Sequence, residues 1–153
     1  FPDETYDWVR CGIGIYGGYF KDKQIETAMT LRSPIVNLRP LKKGQKVGYD
    51  GRAIAKDDML IASVYLGYAD GLPLNIKDET EVMINNQVAK IFGRVSMDLT
   101  TIDVTNIKNC SIGDWCDFFS PTLPISNIAK SNNLISYYLM TGVKSRVKKI
   151  YKK

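Results

Sequence analysis

The residues that could do chemistry fall in three short stretches. The longest, Phe92-Gly93-Arg94-Val95-Ser96-Met97-Asp98, runs on into Leu99-Thr100-Thr101-Ile102-Asp103-Val104 and sets an arginine, a glycine and an aspartate in an apolar, β-branched run. Such runs read as buried strands, where an unpaired charge is costly. Arg94 and Asp98 therefore either compensate one another or deliver polar groups to a ligand at a strand end. The other two stretches are Lys46-Val47-Gly48-Tyr49 and Leu66-Gly67-Tyr68-Ala69-Asp70-Gly71-Leu72-Pro73. The chain has no histidine, which excludes a Ser-His-Asp or Cys-His arrangement within it and any His-ligated metal. A general acid or base here must be Tyr, Lys, Cys, Asp or Glu, tuned by its surroundings.

Mostly short strands must position these residues. Ile25 to Leu41 favours strand, with Ser33-Pro34 as an edge or bend. Leu41 to Gln45 is a turn, Lys46 to Tyr49 a further strand-like piece, and Asp50-Gly51 a turn just beyond it. Leu60 to Leu66 reads as a buried strand, and Val82 to Ala89 as a hairpin turning at Asn85-Asn86, since asparagine tolerates positive φ. Strands at Leu99–Val104 and Asp114–Phe119 follow, separated by a turn at Ile112-Gly113-Asp114. Only the last third looks helical, with Ser126 as N-cap for residues 127 to about 132 and a second helix from Ile135 to Thr141 stopped by Gly142. The expectation is a mainly β barrel or sandwich with one or two short helices near the C-terminus.

At 153 residues the chain is long enough for one domain with a real core. No apolar run approaches the roughly 20 residues of a membrane span, and Phe1-Pro2-Asp3-Glu4 does not open a signal peptide. Cys11, Cys110 and Cys116 are an odd, widely spaced set with no C-x-x-C, so neither a disulfide framework nor a zinc site is expected and a cytoplasmic setting is. Gly12, Gly14 and Gly17 satisfy G-x-G-x-x-G, yet the polar run after them lacks the apolar helical face of a dinucleotide site. These glycines either let backbone N–H groups approach a phosphate or simply end a strand. The net charge of +5 gathers at the end, where Lys144, Arg146, Lys148, Lys149, Lys152 and Lys153 are six of the last ten residues. Val143, Val147 and Ile150 interleave with them, so a last strand with solvated lysines accounts for the charge without nucleic acid, whose aromatic platform is not evident.

In order and spacing, these stretches resemble the C-terminal domain of pyridoxal-phosphate-dependent alanine racemases. Val9 to Gly17 is similar to the end of that family's N-terminal (β/α)₈ barrel, and Lys46 to Tyr49 to its catalytic-tyrosine block. The Gly67–Pro73 and Gly93–Asp98 blocks follow, and Ile135 to Leu139 and Ser145-Arg146-Val147 resemble its closing blocks. The resemblance implies that residues 1–24 are the tail of the barrel and crossover, and residues 25–153 a C-terminal β-barrel domain.

It also implies a chemistry. Pyridoxal phosphate draws electrons from the α-carbon of a bound amino acid, and racemisation then needs an acid/base on each face. In the family one is the lysine that carries the cofactor and the other a tyrosine, which Tyr49 matches; a phenol serves this way when positive neighbours ease it toward phenolate. Arg10 matches the arginine facing the pyridine nitrogen, where a guanidinium donates a hydrogen bond without surrendering its proton. Gly12 and Ile13 match positions whose amides meet the phosphate, and Tyr137 a hydroxyl on it. Met97 matches the residue whose backbone amide meets the substrate carboxylate, with Asp98 beside it, while Tyr68 and Arg94 match the entrance corridor. Leu74 departs from the pattern, because the family often has arginine there. Nothing resembling the lysine block precedes Arg10, so the chain is read as a C-terminal fragment that neither holds the cofactor firmly nor racemises alanine by itself. The parent is implied to be a cytoplasmic head-to-tail homodimer making D-alanine for peptidoglycan, with no membrane or nucleic-acid partner. A broad-spectrum amino-acid racemase domain, or a noncatalytic β-domain binding a protein or nucleic acid through its basic end, are the competing expectations.

Overall fold

Period-two alternation of apolar and polar residues is what builds the body of this protein. Its structure, a computed structural model, describes residues 7–8, 10–18 and 25–151. Among these, eight strands run in the order β1 (Leu31–Leu41), β2 (Lys46–Val47), β3 (Ala53–Ile54), β4 (Met59–Val64), β5 (Glu81–Ile84), β6 (Gln87–Ile91), β7 (Thr100–Asp103) and β8 (Trp115–Phe119). Two helices follow, α1 (Ile125–Ser131) and α2 (Ser136–Gly142). Six strands close into an antiparallel barrel in the order β1-β4-β7-β6-β5-β8, with β8 returning to β1. Val64, Val82, Ile84, Ile91, Ile102 and Phe118 point into its core, and closure leaves the sheet without a free edge.

Strand β1 makes the closure. Its first residues pair with β8, Leu31 opposite Phe119, and the rest with β4, Arg39 opposite Ile61. The register shifts between Ile35 and Asn37, and Pro34, which has no N–H to give, sits beside that change of partner. Asn85 and Asn86 take φ of 50° and 58° between β5 and β6, the paired positive φ of a tight hairpin turn. A second, smaller core of Leu41, Val47, Ala53, Ala55 and Ile61 lies under the β2–β3 hairpin, where Val47 pairs with Ala53.

Four local expectations are corrected. Strand β1 starts at Leu31, not Ile25, because the residues before it bond elsewhere: the Ala28 amide donates to the Tyr16 carbonyl at 3.1 Å. Residues 92–99 are loop, and only Thr100–Asp103 of that run is strand. Helix α1 starts at Ile125 behind Pro124, so Ser126 lies buried in the first turn instead of capping it. The fully buried Ile125 draws the helix two residues earlier, and its amide meets the Thr27 hydroxyl at 3.4 Å. Residues 143–151 form no strand; the Lys144 amide bonds the Asp70 carbonyl at 2.9 Å, which ties the segment to a loop and not to a ladder.

Among the described residues no helix is long and apolar enough to cross a membrane. All three cysteines are free, Cys11 exposed, Cys110 half-buried and Cys116 buried in the barrel. Burial pushes the Cys116 thiol far up, with Asp117 and Cys110 adding to it, and burial followed by Asp114 raises Cys110. Since the thiolate is the reactive form, alkylation followed by mass spectrometry is expected to modify Cys11 first, Cys110 slowly, and Cys116 only once the barrel unfolds.

Candidate functional site

Tyr49 stands on the connection between β2 and β3, and its placement is a matter of backbone. Gly48 takes φ 78°, ψ −179°, a conformation essentially reserved for glycine. Asp50 and Gly51 follow with φ of 60° and 58°. These reversals turn the chain through a single 3-10 turn, Tyr49–Gly51, and leave the tyrosine 54% exposed at the hairpin tip. The small core under β2–β3 holds the base of the hairpin. A Cβ on Gly93 would lie 3.0 Å from that of Ala53, and one on Gly48 would lie 3.8 Å from the Arg94 backbone. The first stretch of chemistry-bearing residues is thus pressed against the Tyr49 hairpin.

The loop at residues 66–73 is sewn to the other end of that stretch. The Tyr68 amide donates to the Ser96 carbonyl at 3.0 Å and the Ala69 amide to the Met97 carbonyl at 2.9 Å. Within the loop, buried Asp70 accepts the Gly67 amide at 2.8 Å. Its other carboxylate oxygen lies 2.8 Å from Nε of Arg146, whose Nη2 reaches the Asp98 carboxylate at 2.7 Å. Arg94 is therefore not the partner of Asp98. The Asp98 hydrogen bond is the main cause holding the Arg146 guanidinium above its ordinary value, with Asp70 adding to it. Arg94 is exposed instead and lines an open groove of about 310 Å³ with Arg52, Leu74 and Asn75. Met97 is exposed; its carbonyl is taken by Ala69, and its amide makes no hydrogen bond within the described residues. Tyr68 is half-buried.

A second group forms at the start of α2. A 3-10 turn, Ile13–Tyr16, packs there, and a Cβ on Gly12 would stand 3.3 Å from the Tyr137 hydroxyl. The Ser136 hydroxyl donates to the Gly18 carbonyl at 2.7 Å and fixes this contact. Arg10 is exposed just before the turn. At the other end of the helix Gly142 backs onto the first group, because a Cβ on Gly71 would fall 2.1 Å from its carbonyl oxygen. Helix α2, whose seven residues rise roughly 10 Å, runs from Tyr137 beside Gly12 to Gly142 beside Gly71. Tyr49, Tyr68, Arg94, Met97 and Asp98 thus make one set, and Gly12, Ile13 and Tyr137, with Arg10 nearby, the other. The Asp70–Arg146–Asp98 bridge is the feature that sequence reasoning missed, and its one available signal was the block Ser145-Arg146-Val147. Among the described residues no group of three or more His, Cys, Asp or Glu could hold a metal.

Residues 28–151 match the family model for the alanine racemase C-terminal domain. The chain belongs to that family. The alanine racemase of Alteromonas mediterranea is 42% identical over 99% of this chain and 44% of its own length. The structure of the biosynthetic alanine racemase from Pseudomonas aeruginosa superposes with a TM-score of 0.92 at 30% identity, over 96% of this chain and 43% of that one. The alanine racemase of Bartonella henselae, solved with covalently bound pyridoxal phosphate, gives 0.77 at 27% identity over 80% of this chain and 34% of that one. The chain therefore spans less than half the length of these relatives. The expected mainly β fold, a closed barrel with two short C-terminal helices, is that of the alanine racemase C-terminal domain.

Proposed function

We propose that this chain supplies the C-terminal part of an alanine racemase, residues 1–24 ending its cofactor barrel and residues 25–153 forming the β domain. The observation that carries the reading is the packing together of three separate stretches, around Tyr49, Tyr68 and Met97, with Tyr49 and Met97 exposed and Tyr68 half-buried. Pyridoxal phosphate would supply stabilisation of negative charge at the substrate α-carbon. Its phosphate end fits the second group: Gly12 leaves a space that a Cβ would fill beneath the Tyr137 hydroxyl. The Gly12 and Ile13 amides make no hydrogen bond among the described residues. Arg10 would donate a hydrogen bond to the pyridine nitrogen while keeping its own proton.

In this reading the Tyr49 hydroxyl gives and takes the α-proton on one face, and the Met97 amide holds the substrate carboxylate, with Asp98 beside it. Tyr68 and Arg94 line the approach, where Leu74 replaces a charge with an apolar side chain. The placement of the two groups toward opposite ends of α2 supports their belonging to different sites of a homodimer. Tyr49 and Met97 then serve the partner's cofactor, and Arg10, Gly12, Ile13 and Tyr137 their own. The parent would work in the cytoplasm, supplying D-alanine for peptidoglycan.

The test is to join the chain to the barrel part of the Alteromonas mediterranea racemase and assay both products. The joined protein is expected to interconvert L- and D-alanine, and the 153-residue chain by itself to show neither turnover nor cofactor retained through gel filtration. A joined protein that dimerises and binds pyridoxal phosphate yet leaves alanine unchanged would remove the reading. Turnover of serine, lysine or arginine instead would move it to a broader racemase.

A further inference from the structure

We propose that Arg146 is a positioning residue, locking together the two loops that carry Tyr68 and Met97 so that the Met97 amide is held in one orientation. The proposal rests on the reading of Met97 as the group that meets the substrate carboxylate. Its basis is the geometry of one guanidinium between two carboxylates from different loops. Nε lies 2.8 Å from Asp70 and Nη2 lies 2.7 Å from Asp98. An arginine is suited to this because its donors sit in a rigid planar fork, whereas a lysine offers a single mobile point charge.

The two carboxylates differ. The Asp70 side chain is only 9% exposed, and with one oxygen on the Gly67 amide and the other on Arg146, both are in use. A carboxylate so deeply placed needs its cation, since removal of one partner leaves the other uncompensated. Asp98 is 42% exposed and directly follows Met97. The Met97 carbonyl is pinned to the Ala69 amide, and Asp98, one residue on, is pinned to Arg146. The Ser96 carbonyl, which belongs to the same peptide unit as the Met97 amide, accepts the Tyr68 amide at 3.0 Å, so that peptide is restrained from both sides. Arg146 is itself placed from behind, by the Lys144 amide on the Asp70 carbonyl and by the close approach of Gly142 to Gly71. The basic end of the chain is, at this residue, part of the site's wall.

The experiment compares Arg146→Met, Arg146→Lys and Asp98→Asn by two measurements. In the 153-residue chain, amide hydrogen exchange at Tyr68, Ala69 and Ser96 should speed up roughly tenfold in Arg146→Met, the loss of a charge-assisted hydrogen bond. Amides of β5 and β6 should keep their rates. Arg146→Lys should recover part of the protection. Asp98→Asn, which leaves the Asp70 pair intact, should loosen Ser96 more than Tyr68. In the joined protein, Arg146→Met should raise KM for alanine roughly tenfold with kcat little changed, the signature of lost ground-state binding, and Arg146→Lys should fall between. Unchanged loop exchange in both Arg146→Met and Asp98→Asn would overturn the proposal. So would faster exchange with KM unaltered in a joined protein that still racemises alanine. If Arg146→Met fails to fold, Asp98→Asn and Arg146→Lys decide the question alone. A joined protein inactive with Arg146 in place would instead count against the racemase reading, and the exchange rates would still decide the coupling of the loops.

Discussion

Replacing Tyr49 with phenylalanine in the joined protein is expected to slow alanine racemisation by about a thousandfold, the scale of a lost general acid–base, while pyridoxal phosphate stays bound. The two halves of this expectation have separate structural grounds. Tyr49 sits at the tip of the β2–β3 hairpin, over half exposed, and its hydroxyl makes no hydrogen bond among the described residues. Phenylalanine keeps the ring and the turn, whose shape depends on Gly48, Asp50 and Gly51 and not on the phenol. Retention of the cofactor is expected because Gly12, Ile13 and Tyr137 form the other group, at the far end of α2. Racemisation rate, cofactor absorbance after gel filtration and thermal stability, measured together, check all of it. Activity within a few-fold of the unsubstituted protein would show that the proton moves through some other group.

Gly67→Ala is expected to cost about 3 kcal/mol of stability, at the upper end of what overpacking usually does. For a domain of this size that is a fall in Tm of roughly 6–12 °C. The added Cβ would lie 2.2 Å from the Met97 carbonyl oxygen and 2.4 Å from that of Ser96. Both are backbone atoms, so no side chain can swing aside to relieve the overlap. The 66–73 loop must draw away from residues 96–97, and the hydrogen bonds of Tyr68 and Ala69 are lost with it. Gly44→Ala is the matched control: its φ is +84° and nothing lies within 4 Å. Only the strain of the left-handed conformation remains there, about 1 kcal/mol. Thermal unfolding of the two variants separates crowding from strain, and equal losses would mean that the 66–73 loop yields freely.

The local parts of this molecule could be read from neighbouring residues. Asn85-Asn86 turns a hairpin because the asparagines adopt the positive φ that the turn needs. Thr100 to Asp103 alternates as a half-buried strand should. The three stretches with tyrosine, glycine and charge were visible as candidates for one site. The limits were visible too: α1 was placed late, because its start depends on how deeply Ile125 is buried and on a threonine some 98 residues away.

Sequence by itself located the strands near residues 60–64, 82–89, 100–103 and 115–119, the Asn85-Asn86 turn and the short stretches that carry chemistry, because each depends on residues next to one another, whereas the expected strand after Val143 does not form. Tertiary structure alone decided that β1 closes the barrel between β4 and β8, that the stretches around 49, 68 and 97 pack against one another, and that Arg146 rather than Arg94 answers Asp98. An ion pair has no period and no local signature. Its partner is whichever charge the closed barrel brings within about 3 Å, and here that charge lies 48 residues along the chain.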